Sequence, residues 1–282
     1  VAKELISGLY IIATPIGNLK DITLRALETL EACDVIYCED TRVTGKLLAH
    51  YNIKKNLKVY NDHSTEYNRE KIYKEILEDK KIVLVSDAGT PLIADPGYKL
   101  VKFLREKGVA ITSLPGSCSL ITALTLSAAP SDKFTFIGFL PKTKGQLENT
   151  FKEIIRVRST FIAFETAKRL KTSLTILKEL NEVVQVSVVR EITKLFEEVI
   201  SGSTGEVLEK LAANPDKIRG EIVLIINSSE LETESDSEEI RGKITDLATK
   251  YYTTKEIVEY LKSFHNISRN QAYKLIMEVV GK

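Results

Sequence analysis

Four of the seven prolines, Pro15, Pro91, Pro96 and Pro115, fall in glycine-containing loops that each directly follow a short apolar run. This repeated unit, an apolar run closed by a helix-breaking loop and followed by an amphipathic stretch, is the pattern of βαβ units in a largely parallel sheet. It predicts strands near 9–14, 34–38, 82–86 and 109–113. Between them, Leu24, Leu27 and Leu30 lie at helical spacing, as do the apolar positions of 98–104. Loops at the carboxyl ends of parallel strands form the crevice in which open α/β sheets bind ligands, and small residues let the backbone approach a ligand closely. A nucleotide-like ligand is the expectation.

The three loops differ in chemistry. The first, ATPIGNLKD from Ala13, is neither a GxGxxG fingerprint nor a GxxxxGK[ST] phosphate loop, which disfavours NAD and ATP. The second, SDAGTPLIADPG from Ser86, places Asp87 at a strand end, where it can accept hydrogen bonds from a ribose or an amino group; a turn-capping role is the local alternative. For Asp95 in the same loop the expectation is a helix cap. The third, LPGSCS from Leu114, sets small polar side chains at a helix start, to cap the helix or to line a pocket. No His or Lys adjoins Cys118 in sequence to activate it, so it reads as pocket lining.

A second α/β unit is expected after Pro130, with strands near 134–139, 160–164, 184–189 and 221–226. Leu170, Leu174, Leu177 and Leu180 form one helix face and read as core, and Ser203 with Glu206 makes a capping-box signature. From Ser228 the composition becomes acidic and aperiodic, as in linkers. Further capping boxes at Thr253/Glu256 and Ser268/Gln271, separated by a short turn at 265–267, predict a small helical module of possible helix-turn-helix type; its mixed charge favours packing or dimer contact at least as much as DNA binding. The expected domains are 1–116, an N-terminal α/β domain with the ligand-binding loops; 117–227, a C-terminal α/β domain; 228–240, an acidic linker; and 241–282, the helical module.

The length of 282 residues suits this division. The three cysteines lack CxxC or Cys/His spacing, so they read as reduced thiols, with neither a disulfide framework nor a metal site. No apolar run approaches membrane-spanning length and no secretory signal pattern precedes the first strand, so the expected location is the cytoplasm. A net charge of +1 gives no overall electrostatic footprint for nucleic acid. Local charge must supply one, and the basic stretch 133–171 offers Lys142, Lys144, Arg156, Arg158, Lys168 and Arg169.

The run ATPIGNLKDITLRALETL, the EDTR at Glu39, the SDAGTPLIADPG loop and the LPG at Leu114 together resemble the ribosomal RNA small subunit methyltransferase I family of the tetrapyrrole methylase superfamily. The likeness continues in FETAKR from Phe164, REITK from Arg190 and RGEIVLII from Arg219, and covers about residues 8 to 227. It departs from the family at Ala167-Lys168, where a Pro-His or similar pair is expected before the arginine, and at Leu195-Phe196, where a more polar pair is expected.

The resemblance implies two α/β domains of tetrapyrrole-methylase type with the cofactor cleft between them, S-adenosylmethionine as cofactor, no metal, and a homodimer. The implied reaction is 2′-O-methylation of a cytidine in 16S ribosomal RNA, presented as free RNA or as the assembled small subunit. By the same resemblance Pro15, Gly17, Asp87, Ala88, Gly89, Ile93, Ala94, Cys118, Ser119 and Phe164 hold the cofactor. Charged groups at strand ends of the second domain, Glu165, Arg190, Glu191, Lys194 and Glu221, are the catalytic candidates, with a structural ion-pair network as the alternative for each. Two other functions compete: a small-molecule methyltransferase acting on a tetrapyrrole precursor, and a non-catalytic nucleotide-binding module of ribosome assembly.

Overall fold

A computed structural model describes residues 5–213, 218–229, 234–250, 252–265 and 269–281. The chain divides into two compact units, Val1–Ser229 and Glu230–Lys282.

The first unit begins with strand β1 (Gly8–Ile12), helix α1 (Leu24–Ala32), β2 (Val35–Cys38), α2 (Thr41–His50), β3 (Asn56–Val59), α3 (Glu66–Leu77), β4 (Lys81–Val85), α4 (Tyr98–Glu106), β5 (Ile111–Leu114) and α5 (Ser119–Ser127). The five strands form one sheet in the order β3-β2-β4-β1-β5, and every neighbouring pair is parallel. Successive strand residues point to opposite faces, and both faces are covered. Tyr10, Ile12, Ile36 and Val83 pack with Ala26 and Leu30 of α1 and Leu48 of α2. On the other face Leu9, Ile11, Ile82 and Leu84 pack with Ile72 and Ile76 of α3 and Leu100 and Leu104 of α4. Burial on both sides explains why these strands read as continuous apolar runs. The edge strand β3 does not, because its four residues are exposed or half-buried, and the sequence pattern missed it.

The unit continues with β6 (Phe134–Phe139), α6 (Lys144–Val157), β7 (Thr160–Thr166), α7 (Ala167–Leu180), β8 (Gln185–Arg190), β9 (Glu198–Ser203), α8 (Thr204–Ala213) and β10 (Glu221–Asn227). The second sheet has the order β6-β7-β10-β8-β9. Only β6 and β7 are parallel; β10 runs antiparallel to both its neighbours and β9 antiparallel to β8. β9, a half-exposed edge strand, was also not anticipated. The capping box before α8 forms, with the Ser203 amide donating to Glu206 Oε2 at 2.9 Å and the Glu206 amide to Ser203 Oγ at 3.3 Å. Leu170, Leu174 and Leu177 of α7 are fully buried. Helix α5 packs Leu120, Ala123 and Leu124 on the second sheet, against Ile162, Val189 and Val223.

The second unit holds α9 (Glu234–Thr249), α10 (Thr254–His265) and α11 (Arg269–Val280), joined around Ile244, Leu247, Ile257, Leu261, Ala272 and Ile276. The expected acidic linker is thus helical from Glu234, consistent with the preference of acidic residues for the first turns of a helix. The capping box at Thr253 forms, its amide donating to Glu256 Oε2 at 2.7 Å. That expected at Ser268/Gln271, and the turn at 265–267 apart from His265, lie outside the described residues.

Candidate active site

The loops that leave β1, β2, β4 and β5 are bonded into one edge that borders a cavity. Thr14 and Gly89 form an isolated bridge between the first and second proline loops, and Thr14 Oγ1 also donates to the Ser86 carbonyl at 3.2 Å. Asp87 Oδ1 accepts from the Asp40 amide at 3.1 Å, which ties the end of β4 to the end of β2. Asp40 in turn caps α2 by accepting from the Arg42 amide at 2.8 Å. Thr90 Oγ1 donates to the Ser117 carbonyl at 2.9 Å, which fixes the loop after β5.

Above this edge lies a cavity of about 460 Å³ that the second sheet closes, a volume within the roughly 300–1,000 Å³ typical of small-molecule sites. One part of its wall is acidic, formed by Glu39, Asp87 and Asp95. Burial pushes the Glu39 carboxyl above its ordinary range, and the neighbouring Asp87 and Asp95 push it further. Burial raises Asp95 as well, against an opposing hydrogen bond from Ser86. Another part is the first turn of α5, where Cys118, Ser119 and Leu120 face the cavity and no side chain caps the helix. The loops after β1 and β4 add Ile16, Ala88, Gly89, Thr90 and Ile93, and the side of the second sheet adds Phe139, Phe164, Glu165 and Thr166, then Ile192, then residues 220–223.

The model of the tetrapyrrole (corrin/porphyrin) methylases matches residues 8–208. The ribosomal RNA small subunit methyltransferase I of Rickettsia prowazekii is 43% identical over 96% of this chain and 96% of its own. The chain belongs to the ribosomal RNA small subunit methyltransferase I family of tetrapyrrole methylases. A second family relative, from Vibrio cholerae, is 38% identical over 97% of this chain and 96% of its own. Among solved structures, diphthine synthase superposes with a TM-score of 0.62 at 15% identity, covering 79% of this chain and 91% of that one. Uroporphyrin-III C-methyltransferase of Thermus thermophilus, complexed with S-adenosylhomocysteine, gives 0.52 at 19% identity, covering 79% and 98%. These two likenesses establish the fold.

Of the positions the family resemblance assigns to the cofactor, Asp87, Ala88, Gly89, Ile93, Cys118, Ser119 and Phe164 line the cavity. Pro15, Gly17 and Ala94 are not in its wall. Gly17 has another task, since a Cβ there would stand 2.9 Å from the Ile192 carbonyl and 2.6 Å from Thr193 Oγ1. The absence of a side chain lets the β1 loop lie against the loop after β8, where the Asn18 amide donates to Thr193 Oγ1 at 3.0 Å. Asp95 is a correction. Helix α4 starts at Tyr98 with Gly97 at its cap position, so Asp95 caps no helix and faces the cavity instead. Sequence reasoning also missed Glu39, Thr90, Phe139 and Ile192 of the wall, although Glu39 opens the EDTR segment that carries part of the family resemblance.

The charged candidates separate into three groups. Glu165 is 3% exposed and faces the cavity, with its oxygens accepting from the Thr166 amide at 2.7 Å and from Ser173 Oγ at 2.6 Å; Arg169 lies 3.4 Å away. Glu221, on the cavity rim, is bonded to Lys194 Nζ at 2.9 Å, and Lys194 also reaches Glu191 Oε1 at 3.1 Å. Burial works against ionisation in both Lys194 and Glu191. Hydrogen bonds outweigh it, from Glu221 and Glu191 for the raised lysine, and from the Glu221 amide and Lys194 for the lowered Glu191. Arg190 does not join them. It bonds Glu198 Oε2 at 2.7 Å on the neighbouring strand β9 and lines a separate cavity beside α7 and α8.

The basic candidates also divide. Arg169 donates to the Leu140 carbonyl at 3.2 Å and to that of Pro141, and so fixes the segment after β6. Lys144 pairs with Glu148 at 3.6 Å. Arg158 takes the left-handed C-cap position of α6, at φ 53°. Lys142, Arg156 and Lys168 are exposed. Among the described residues no helix is long and apolar enough to cross a membrane.

Proposed function

We propose that the chain transfers the methyl group of S-adenosylmethionine to the ribose 2′-hydroxyl of a cytidine in small-subunit ribosomal RNA. The observation that carries this reading is the cavity between the two sheets, whose acidic wall, uncapped helix and apolar surfaces suit that cofactor. A sulfonium and an α-amino group make it cationic at two points, which Glu39, Asp87 and Asp95 complement. The free amides at the start of α5 suit its carboxylate, and Ile93, Leu120 and Phe164 give apolar surface to the adenosine. When bound, the cofactor would supply an electrophilic methyl carbon, which an oxygen nucleophile attacks in line while S-adenosylhomocysteine departs as the leaving group.

The protein must align that oxygen and help it lose its proton. In this reading Glu221 is the carboxylate nearest an incoming hydroxyl, with Lys194 and Glu191 holding it in position. Glu165, whose oxygens are already engaged, orients the wall around Thr166. Lys142, Lys144, Arg156, Arg158 and Lys168 contact phosphates, whereas Arg169 acts indirectly by shaping the loop at Leu140 and Pro141. The cytidine leaves its stack to reach the cleft. The reaction is cytoplasmic, and a homodimer is the assembly that the family resemblance implies.

A tetrapyrrole substrate is less well supported, since the relatives named for ribosomal RNA match at 38–43% identity and the uroporphyrin enzyme at 19%. The test is transfer of labelled methyl from S-adenosylmethionine to unmodified small subunits, naked ribosomal RNA and a tetrapyrrole precursor, with digestion of the product to nucleosides. Label in 2′-O-methylcytidine is expected. Label in the precursor alone, or in none of the three despite cofactor binding, overturns the reading.

A further inference from the structure

The pairing of β6 with β7 contains one irregularity, and it lies at the cavity. Phe136 pairs with Ile162 and Phe139 with Phe164, so three steps along β6 match two along β7. The extra residue is accommodated at Gly138, whose φ of +70° is unfavourable for any residue with a Cβ. Simple alternation would send Phe136 and Phe139 to opposite faces of the sheet. The bulge instead returns Phe139 to the face of Phe136, and both rings meet Phe164 edge-on, with centroids 5.0 and 5.3 Å away.

The result is unusual for a phenylalanine that lines a cavity. Phe139 remains 60% exposed while one side of its ring rests on Phe164. The segment behind it is fixed by the Leu140 amide donating to the Phe164 carbonyl at 3.1 Å and by Arg169 on the Leu140 and Pro141 carbonyls. Exposed lysines flank it in sequence or through that clamp, Lys142 after the strand and Lys168 beside Arg169. A held aromatic face with cations nearby is how proteins grip single-stranded nucleic acid, since bases stack on the ring and phosphates meet the lysines.

We infer that Phe139 is the stacking platform for the nucleobase at the methylation site, and so a substrate-positioning residue that sets the ribose over the cavity. The inference rests on the RNA-methyltransferase reading above and commits the exposed ring to RNA rather than to the cofactor. No bond is made or broken by Phe139. Its part is to hold an unstacked base so that the attached ribose presents its hydroxyl toward the methyl donor.

Two measurements test this with intact protein and unmodified small subunits. Phe139→Ala and Phe139→Leu should raise KM for the subunit roughly 5- to 150-fold, the range that base–aromatic stacking supplies, with cofactor affinity within about twofold of the wild type. Phe139→Tyr should restore most of the loss, because the aromatic face returns. An unchanged subunit KM, a normal KM in the leucine variant, or a loss confined to cofactor affinity would overturn the inference. Second, a photoreactive benzoylphenylalanine at position 139 should crosslink to the methylated nucleotide or its immediate neighbours, and one at Phe134 should not; crosslinks elsewhere, or none, count against it. Wild-type protein that labels no RNA refutes the function itself, whereas labelling with these variants unaffected refutes only the role of Phe139.

Discussion

Thr14 and Gly89 exchange two backbone hydrogen bonds, each 2.9 Å long, across the gap between the loops that leave β1 and β4. Gly89 does so at φ +82°, with room for a Cβ only 3.3 Å from Ile16 Cγ2. Two loops 75 positions apart in sequence thereby become one wall of the cavity proposed for the cofactor.

Replacing Gly89 by Ala should accordingly be costly. A side chain in the left-handed region loses roughly 1–2 kcal/mol, and the Ile16 contact tightens at the same time. We expect a lower thermal midpoint and at least a tenfold weaker affinity for S-adenosylmethionine by titration calorimetry. Unchanged affinity would show that the bridge does not shape the site.

The raised carboxyls of Glu39 and Asp95 give the site a pH dependence of definite sign. Their folded pKa lies above the unfolded value, so between the two the native state binds more protons and the ligand-free protein loses stability as pH rises. A cationic ligand needs the same groups ionised. Cofactor affinity should therefore increase as pH rises through the upper carboxylate range, and Glu39→Gln should flatten that rise. Calorimetric titrations across acidic to neutral pH check it; a flat wild-type profile contradicts the assignment.

Glu165 is expected to matter first for stability. Glu165→Ala strips a buried carboxylate from Ser173 and from the neighbouring Arg169, and breaking such a buried charged cluster costs about 3–5 kcal/mol. Ser173→Ala leaves the carboxylate one donor short, with an expected loss of about 1–3 kcal/mol. Denaturant unfolding of the two variants measures both, and equal midpoints for wild type and Glu165→Ala would remove the residue from the structural account.

At the rim, Lys194→Ala should reduce turnover more than tenfold while cofactor affinity changes by less than about twofold. Its ion pairs are partly exposed, so the accompanying loss of stability should stay below about 1 kcal/mol. Wild-type turnover in this variant would strike Lys194 from the positioning set of Glu221.

Salt should weaken subunit binding, and removing a phosphate contact should reduce that dependence. For Lys142→Ala or Lys168→Ala the slope of log affinity against log salt is expected to fall by about 1. Arg169→Ala should behave differently, changing kinetics through the Leu140–Pro141 segment with little effect on the slope. Filter-binding titrations at several salt concentrations separate the two cases.

Much of this architecture was legible in the chain itself. The strands of the first sheet are buried on both faces, so Leu9 to Ile12 and Ile82 to Val85 appear as uninterrupted apolar runs, and the Pro-Gly loops mark the ligand edge. Seven of the ten residues first assigned to the cofactor do reach the cavity wall, because local sequence suffices to place a loop at the end of its strand. Edge strands β3 and β9 were not legible, since half-exposed residues carry no strong period.

What the tertiary structure alone decided is where side chains point once distant segments pair. Arg190 stays out of the cavity because β9 pairs beside β8 and sets Glu198 opposite it, where the two side chains bond. Asp95 enters the wall because α4 begins only at Tyr98. Phe139 reaches the rim because one extra residue at Gly138 inverts the alternation of β6, and no periodicity in the sequence announces a bulge. Pattern along the chain therefore determined the elements and the edge that borders the cavity; pairing between segments far apart in sequence determined which face each candidate residue occupies.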